Sequence, residues 1–462
     1  MEDFDLRSAV FDRFIRPTLS NHRNKAGVEI EMPIVNLSKA PVDFNLVHEV
    51  TELFMKEFDM KGLKFDDDGF VTLAENSTNR DSISYDCSYN NLELSMGAEE
   101  DLNLVRDRFE CYVRFLNAGF GEHGHMLTGM GINPHRRYND NIPVPNPRYR
   151  MLYHHLHSFP KYRDLPMTFH RYPEFGTFAS ASQVQLDVSY EDITKKINIF
   201  SRLEPYKALL FSNSIFPEDR DGPVCMRDIF WENSSHGINP RNIGMYEKDF
   251  ESPDEVVDYI LSASIYCVMK DDKYINFPPM PISEYFAAKT VKGEYFNPES
   301  GEYEEILFEP APGDLEYLRT FKFEDLTFRG TIEYRSCCTQ PLKETMTVAA
   351  FHKGLNEMTD ELGRLLYEDG VLYKHGYDAS ELRKLIIRNK LPEGVDREAL
   401  KQTLISILDL ASEGLARKGA REEIFLEPLY ERAYSASNPA LKMRKMIGDK
   451  IPMADIIREY SL

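Results

Sequence analysis

Four short segments of the chain alternate apolar and polar residues, and each places a carboxylate on its polar side. The segments are residues 28–32, 91–95, 183–188 and 331–335, and Asp86 lies shortly before the second. Successive side chains of a β-strand point to opposite faces, so one face of each segment can pack in a core while the other carries the acids. Carboxylates gathered on one face repel each other unless cations lie between them. The pattern therefore predicts a Mg²⁺-binding sheet; the alternative is four unrelated amphipathic strands in an acidic protein.

The charge of the chain limits its partners. Acidic residues outnumber basic ones, 76 to 55, and the formal net charge is −21. Nucleic acids and anionic membranes are bound by basic patches, so this balance argues against both. A phosphate-bearing substrate would need local cations, either metal ions or clustered arginines. The sequence contains no GxxxxGK[ST] loop, so a nucleotide would have to bind on the predicted metal-bearing sheet.

The elements that must position these acids are predicted from periodicity and turn residues. Residues 101–116 have helical spacing and should pack on the sheet, and another helix should begin near Arg148, after a proline-rich loop. Residues 292–307 are typical of a hairpin. Residues 217–244 are predicted to form a long ordered loop, and the apolar run at residues 259–269 to form a buried helix.

After residue 341 the strand patterns stop and helical periodicity dominates. The helical segments are residues 348–367, 397–416 and 453–460. We therefore predict an α+β chain, with a sheet-based catalytic part at residues 1–345 and a helical part at residues 346–462, unless the helices complete a single domain. The acidic start and the lack of a membrane-spanning apolar run predict a cytoplasmic location.

Six pieces of the sequence, in order, resemble the glutamate–cysteine ligases, and in particular the plant and proteobacterial branch of that family. The pieces are residues 27–31 (GVEIE, similar to the first metal strand), Asp86 with Glu93, residues 183–187 (QVQLD, similar to QVNLD), residues 227–231 (RDIFW, similar to RxxxW), Arg241, and residues 320–336 (similar to TxFPEVR…ExR). They extend from about Gly27 to Pro341.

The resemblance implies a glutamine-synthetase-like fold, in which a curved antiparallel sheet with packed helices surrounds an ATP and metal site. The Mg²⁺ ligands that it implies are Glu29, Glu31, Asp86, Glu93, Gln183 and Glu333. The implied ATP contacts are Arg335 and Arg329, and the implied catalytic residues are Arg335, Glu333 and Arg241. The implied substrate contacts are Arg227, Trp231, Arg241 and Gln185. A planar guanidinium can hold a carboxylate through two hydrogen bonds.

The activity implied by the resemblance is an ATP-dependent ligation. ATP would phosphorylate the γ-carboxylate of L-glutamate, and the amine of L-cysteine would capture the γ-glutamyl phosphate to give γ-glutamylcysteine, the first step of glutathione-type thiol synthesis. The expected partners are thus small molecules, and the oligomeric state cannot be predicted.

Two alternatives stay open. The segment after Trp231 lacks the usual TD pair of the branch, and its spacing to Arg241 is longer, which leaves room for a γ-glutamyl ligase with another amine acceptor. A guanidino-type kinase on a similar sheet is the second alternative.

Overall fold

A computed structural model describes residues 4–20 and 24–462 of the chain. Its strands are β1 (Ala26–Asn36), β2 (Met60–Phe65), β3 (Val71–Asn76), β4 (Ser82–Tyr85), β5 (Asn91–Glu99), β6 (His125–Leu127), β7 (Ser182–Asp187), β8 (Ile243–Gly244), β9 (Ser264–Lys270), β10 (Lys273–Pro281), β11 (Val291–Asn297), β12 (Glu302–Phe308), β13 (Phe321–Lys322), β14 (Glu324–Leu326) and β15 (Thr331–Tyr334). The largest sheet is antiparallel and has the strand order β14-β15-β7-β1-β5-β4-β3-β2, with β6 paired to the end of β1.

The four alternating segments predicted from the sequence lie in β1, β5, β7 and β15. These strands are consecutive neighbours in the large sheet, and every pairing among them is antiparallel. Their apolar side chains, such as Ile30, Leu94 and Ile332, are buried in the main hydrophobic core. The alternation therefore does what the sequence predicted: one face of the sheet packs, and the opposite face carries the acids.

The helices contact the strands of this sheet and the smaller β-structures beside it. They are α1 (Leu6–Val10), α2 (Phe44–Glu57), α3 (Leu102–Gly121), α4 (Pro147–His157), α5 (Ile193–Phe211), α6 (Met226–Glu232), α7 (Pro253–Leu261), α8 (Ile282–Ala287), α9 (Met346–Glu357), α10 (Thr359–Tyr367), α11 (Ala379–Ile386), α12 (Arg397–Ala416), α13 (Glu427–Ser435), α14 (Pro439–Gly448) and α15 (Met453–Glu459). Mixed helices and antiparallel strands confirm the predicted α+β class. The predictions of α3, α4 and the helices at residues 397–416 and 453–460 are also confirmed, whereas the helical segment predicted at residues 348–367 is divided into α9 and α10.

A second, smaller sheet has the strand order β12-β11-β10-β9 and packs against α4. The hairpin predicted at residues 292–307 is confirmed as β11 and β12. The buried helix predicted at residues 259–269 is wrong, because α7 ends at Leu261 and the apolar run continues as strand β9. A short apolar run is compatible with either structure when it is buried on all sides, and the neighbouring strand β10 decides between them here.

The region predicted to be a loop, residues 217–244, contains the helix α6 and short 3₁₀ segments at Ser235–Ile238 and Pro240–Asn242. The many Gly, Pro and Asn residues of this region favour a loop prediction, and α6 has only two turns, too few for a helical periodicity to be recognised in the sequence. The prediction of an unbroken loop is therefore wrong at α6.

The last helices pack closely on the rest of the chain. One hydrophobic cluster contains Ile30 and Leu94 from the large sheet together with Phe351 and Leu408 from α9 and α12. A division of the chain at residue 345 stays a prediction. Among the described residues, no helix is both long enough and apolar enough to cross a membrane.

Candidate active site

The acids of the large sheet form one continuous row on its polar face. The pairing register places Glu31 opposite Glu93, Glu29 opposite Gln183, and Gln185 opposite Glu333. Directly paired residues in a sheet point to the same face. The row therefore crosses four adjacent strands, and the strand alternation read from the sequence is sufficient to assemble it.

Two glutamines donate hydrogen bonds to the carboxylates of the row. Gln185 Nε2 donates to Glu29 Oε1 at 2.8 Å and to Glu333 Oε1 at 3.1 Å. Gln183 Nε2 donates to Glu31 Oε1 at 3.1 Å, and the backbone N–H of Ala181 donates to Glu31 Oε2 at 2.7 Å. Gln185 lies between two acids, so its amide group separates carboxylates that would otherwise repel each other, whereas Gln183 binds Glu31 alone.

The row is poised to take up positive charge. Burial first, and then the charges of Glu333 and Glu93, raise the pKa of Glu29 to about 8. Burial and Asp86 raise the pKa of Glu31 to about 8, and the same causes, with Glu31 added, raise the pKa of Glu93 to about 8. Burial disfavours a charged carboxylate and like charges add to the effect, whereas a bound cation would reverse both.

Among the described residues, the cation at the row is Arg335, which directly follows β15. Its guanidinium is hydrogen-bonded to Glu333, and its pKa is raised above the usual range by Glu333 and Asp325, against the effect of burial. Asp325 in β14 is paired with Glu333 and extends the row by one strand. Burial raises the pKa of Asp325 to about 6, although Arg335 opposes the shift.

Two adjoining cavities open over the row. The inner cavity has a volume of about 410 Å³ and the outer cavity about 860 Å³. Glu29, Asp86, Glu93, Arg148 and Arg335 line both, so the cavities share the acidic wall. The predicted site residues that line the inner cavity also include Glu31, Gln183, Arg227 and Trp231, and those that line the outer cavity also include Glu333 and Arg329.

Arg227 and Trp231 lie on α6 and reach the inner cavity from its side. Arg227 is buried, and its Nη1 donates to the carbonyl oxygens of Cys337 at 3.2 Å and Ser336 at 3.5 Å. Its Nε and Nη2 have no hydrogen-bond partner within the described residues. Trp231 stacks on Phe321 with a centroid separation of 4.6 Å. This side of the cavity offers a free guanidinium edge next to aromatic rings.

Arg241 is the predicted site residue that the structure keeps apart. It lines neither cavity; its Nε lies 3.8 Å from Glu247 Oε2, and its guanidinium faces the ring of Tyr259. The longer spacing between Trp231 and Arg241 noted in the sequence accommodates the 3₁₀ turns after α6, which carry Arg241 away from the sheet. Gln185 also lines neither cavity and acts on Glu29 and Glu333.

Several site residues were missed by sequence reasoning. Arg148, Arg319 and Lys64 line both cavities, and His236 and Tyr266 line the inner one. Arg148 could have been found, because it stands at the predicted start of α4. Lys64 and Tyr266 lie in β2 and β9, which have no acidic pattern, and Arg319 and His236 lie in irregular or 3₁₀ segments, so the sequence carries no local signal for them.

A buried ionic network lies directly behind the cavity. Arg383 in α11 donates from Nε to Asp228 Oδ2 at 2.7 Å, binds Glu204, and contacts the carbonyl oxygen of Ser336 at 3.4 Å. Lys207 binds Glu204 from the other side. Arg383 therefore links α11 to Ser336, the residue that follows Arg335, and this contact helps to hold Arg335 at the end of β15.

The donor set of the row is oxygen-rich, as a hard cation requires. Gln183 Oε1 is buried and has no hydrogen-bond partner among the described residues, so it is an unused oxygen donor beside Glu31. In residues 4–20 and 24–462, however, no three His, Cys, Asp or Glu side chains converge closely enough to enclose a metal ion alone. The row can supply some ligands to a cation, but a bound substrate would have to supply the rest.

A sheet of carboxylates beneath a cavity edged with arginines can bind an anionic substrate together with a cation, as an enzyme that acts on phosphate groups requires. Comparison with known proteins makes the assignment specific: residues 25–460 match the glutamate–cysteine ligase family 2 (GCS2), and the chain belongs to that family.

Individual relatives are distant. The chain is 25% identical over 363 residues to a protein of Arabidopsis thaliana named glutamate–cysteine ligase, chloroplastic; the match covers 77% of this chain and 64% of that protein. The corresponding protein of Nicotiana tabacum is 24% identical over 420 residues, covering 89% of this chain and 73% of the relative. The chain thus spans about two thirds of the length of these relatives.

Among solved structures, the chain is similar to the glutamate–cysteine ligase of Francisella tularensis in complex with AMP. The two are 12% identical with a TM-score of 0.45, and the match covers 96% of this chain and 89% of that one.

Proposed function

We propose that the protein ligates the γ-carboxylate of L-glutamate to the amine of L-cysteine at the expense of ATP, giving γ-glutamylcysteine. The observation that carries this proposal is the continuous row of Glu29, Glu31, Glu93 and Glu333 under a cavity edged with arginines. Its membership of the glutamate–cysteine ligase family and the names of its relatives support the same chemistry.

We further propose that the row takes Mg²⁺ together with the nucleotide. Mg²⁺ at nucleotide sites is held by one or two carboxylates plus substrate phosphates rather than by an all-protein cage. The acids with raised pKa and the unused Oε1 of Gln183 fit that division of ligands. Glu29, Glu31, Asp86, Glu93, Gln183 and Glu333 would hold the metal, whose chemistry is to neutralise phosphate charge.

The protein's own side chains would mostly position and stabilise the reactants. In phosphoryl transfer the charge of the transition state lies on the equatorial oxygens, and a pre-positioned guanidinium stabilises it. Arg335 is held in place by Glu333 for that task. Arg148 and Arg329 face the cavities without a carboxylate partner among the described residues and can bind phosphate oxygens. Cys87 and Cys267 line the inner cavity, but burial raises the pKa of both thiols, so they are not thiolates at pH 7, in agreement with direct attack by the substrate carboxylate.

The test is ADP release by the purified protein with Mg·ATP and glutamate, with and without cysteine, followed by mass analysis of the product. Cysteine-dependent ADP and the mass of γ-glutamylcysteine are the expected results. ADP with a stable phosphorylated product would identify a kinase, and a requirement for another amine would replace cysteine as the acceptor.

Glu333→Gln should lower ADP formation by at least about 100-fold, because it removes a metal ligand and the partner of Arg335 at once. The substitution keeps the shape of the side chain, so the unfolding midpoint should change little. Glu305→Gln, on the exposed strand β12, is the matched control and should keep full activity. Retained activity in Glu333→Gln would contradict the role of the row.

The cellular location remains a prediction. We propose the cytoplasm, supported by the acidic composition, although the plant relatives are named as chloroplastic proteins.

A further inference from the structure

Another cavity, which we call the α5–α11 cavity, lies apart from the active site. Its walls are formed by α5, the end of α6, residues 243–249 and residues 373–384. Its volume is about 820 Å³, and small-molecule sites typically have volumes of roughly 300–1,000 Å³. It shares no lining residue with the inner or the outer cavity. The cavity is therefore large enough for a ligand of its own.

Most charged side chains of the α5–α11 cavity already have a partner. The satisfied side chains and their partners are Glu247 with Arg241, Lys248 with Glu255, Asp249 with Tyr367, and Asp378 with the backbone N–H of Glu381. Arg202, Glu232 and Lys384 also line the cavity, and none of the three forms an ion pair within the described residues. Charges of both signs are thus available to a ligand in one cavity.

Arg202 in α5 presents a guanidinium that is held in place from several sides. Its Nε donates to the carbonyl oxygen of Leu366 at 2.8 Å, and its Cζ lies 3.8 Å from the ring centroid of Tyr373 and 4.9 Å from that of Tyr367. Its Nη1 and Nη2 have no hydrogen-bond partner in the described part of the chain, and neither atom is buried. A planar guanidinium with two free nitrogens can bind a carboxylate through two parallel hydrogen bonds.

Glu232 is the complementary group, at the last residue of α6. Trp231, the residue before it, lines the inner cavity, whereas Glu232 lines the α5–α11 cavity. Its half-buried carboxylate accepts no hydrogen bond among the described residues. Burial raises the pKa of Glu232; the charge of Lys384 opposes this shift, and that of Asp228 adds to it. An ammonium group bound at this carboxylate would stabilise its charged form.

We infer that the α5–α11 cavity binds a zwitterion, either a free amino acid or a short peptide, with its carboxylate on Arg202 and its ammonium group on Glu232. A ligand that carries both charges matches two unpaired protein groups of opposite sign. A purely anionic ligand would leave Glu232 unpaired, and a purely cationic ligand would leave Arg202 unpaired. Because this cavity is separate from the acidic row, the inference goes beyond the proposed ligase function and does not depend on it.

Titration calorimetry at pH 7 without ATP tests the binding directly. The probes are the common amino acids, one at a time, and the dipeptide glycylglycine, which together show whether the cavity takes an amino acid or a peptide. At least one probe should bind in a saturable way. Its amide, which lacks the carboxylate, and its N-acetyl form, which lacks the ammonium group, should each bind at least about 10-fold more weakly. No saturable binding of any probe, or equal binding of either derivative, would overturn the inference.

Variants assign the binding to this cavity. Glu232→Gln keeps the shape of the side chain but cannot ionise, and Arg202→Lys keeps the charge but loses the planar fork; each should weaken binding by about 10-fold or more. Glu247→Gln, on the same cavity wall but at a carboxylate paired with Arg241, is the matched control and should bind as the wild type.

Two further observations separate binding at this cavity from other effects. Glu232 has no partner to lose, so Glu232→Gln should not lower the unfolding midpoint, which thermal unfolding checks. An amino acid that also enters the active site gives a second binding event, recognised by its loss in Arg227→Gln. Affinity that is unchanged in Glu232→Gln, or binding that is lost only in Arg227→Gln, would contradict a zwitterion site in the α5–α11 cavity.

Discussion

At the scale of single residues, the acidic row is a source of instability as well as of chemistry. Glu29, Glu31 and Glu93 are buried beside one another, and their pKa values are raised to about 8. A carboxyl group whose pKa is higher in the folded state than in the unfolded state binds protons more tightly when folded. Its contribution to stability is complete below its unfolded pKa and is lost as the pH rises to the folded value.

We therefore expect the free energy of unfolding, measured in the presence of a chelator, to fall as the pH rises from about 4.5 to about 8. Glu29→Gln should make this decline shallower, because glutamine has the same shape and does not ionise. Denaturant titrations at a series of pH values give the measurement. Glu305→Gln should leave the decline unchanged, and an equal effect of the two variants would show that the row does not control it.

At the scale of elements, α9 and α12 cross with their backbones in contact. A Cβ added to Gly354 would lie 2.1 Å from the carbonyl oxygen of Ala411, and one added to Gly414 would lie 2.0 Å from that of Gly354. Both glycines are inside helices, where glycine is ordinarily unfavourable by about 1 kcal/mol relative to alanine. The close approach of the two helices leaves no room for a larger residue at either position.

Gly354→Ala should therefore destabilise the protein by about 1–3 kcal/mol, in spite of the better helix propensity of alanine, because the two helices must move apart. Thermal or denaturant unfolding measures the loss. Gly448→Ala, at the end of α14 with no atom within 4 Å of the added Cβ, is the control and should be neutral or slightly stabilising. A stable Gly354→Ala variant would mean that the crossing adapts easily.

Elements with strong periodicity could be predicted from the sequence, and those decided by tertiary contacts could not. The strands of the acidic row and α12 were found because one face of each is buried and the other is polar. Strand β9 was mistaken for a helix because it is apolar on both faces, and α6 was missed because two turns are too few for a period. The acids of the site follow from the strands, whereas His236 and Arg319 depend on how distant loops meet.

At the scale of the whole molecule, cationic side chains gather at one cavity although the chain as a whole is acidic. The outer cavity is lined by Arg13, Lys64, Arg148, Arg319, Arg329 and Arg335 in a chain of net charge −21. Of these six, only Arg335 is paired with a carboxylate within the described residues. Five acids, Glu29, Asp86, Glu93, Asp325 and Glu333, line the same cavity, so its wall carries both signs of charge. The unpaired cations attract the phosphates of an anionic substrate, and salt weakens that attraction.

We expect the KM for ATP to rise several-fold between about 50 mM and about 500 mM salt. Arg319→Gln should raise the KM at low salt and reduce its dependence on salt, since it removes one of the unpaired charges. Steady-state kinetics at a series of salt concentrations provides the measurement. Arg388→Gln, at an exposed position after α11, should behave as the wild type, and equal salt dependence in all three proteins would refute electrostatic attraction at the cavity.

The ionic network around Arg383 limits which C-terminal helices can be joined to residues 1–345. The guanidinium of α11 neutralises Glu204 and Asp228, which belong to the sheet-bearing part of the chain. A hybrid that joined residues 1–345 to the helices of a relative without an arginine at this place would leave the buried Asp228 without its cation and Glu204 with Lys207 alone. Exchange of segments between lineages would therefore succeed only when the arginine and its two acids are inherited together.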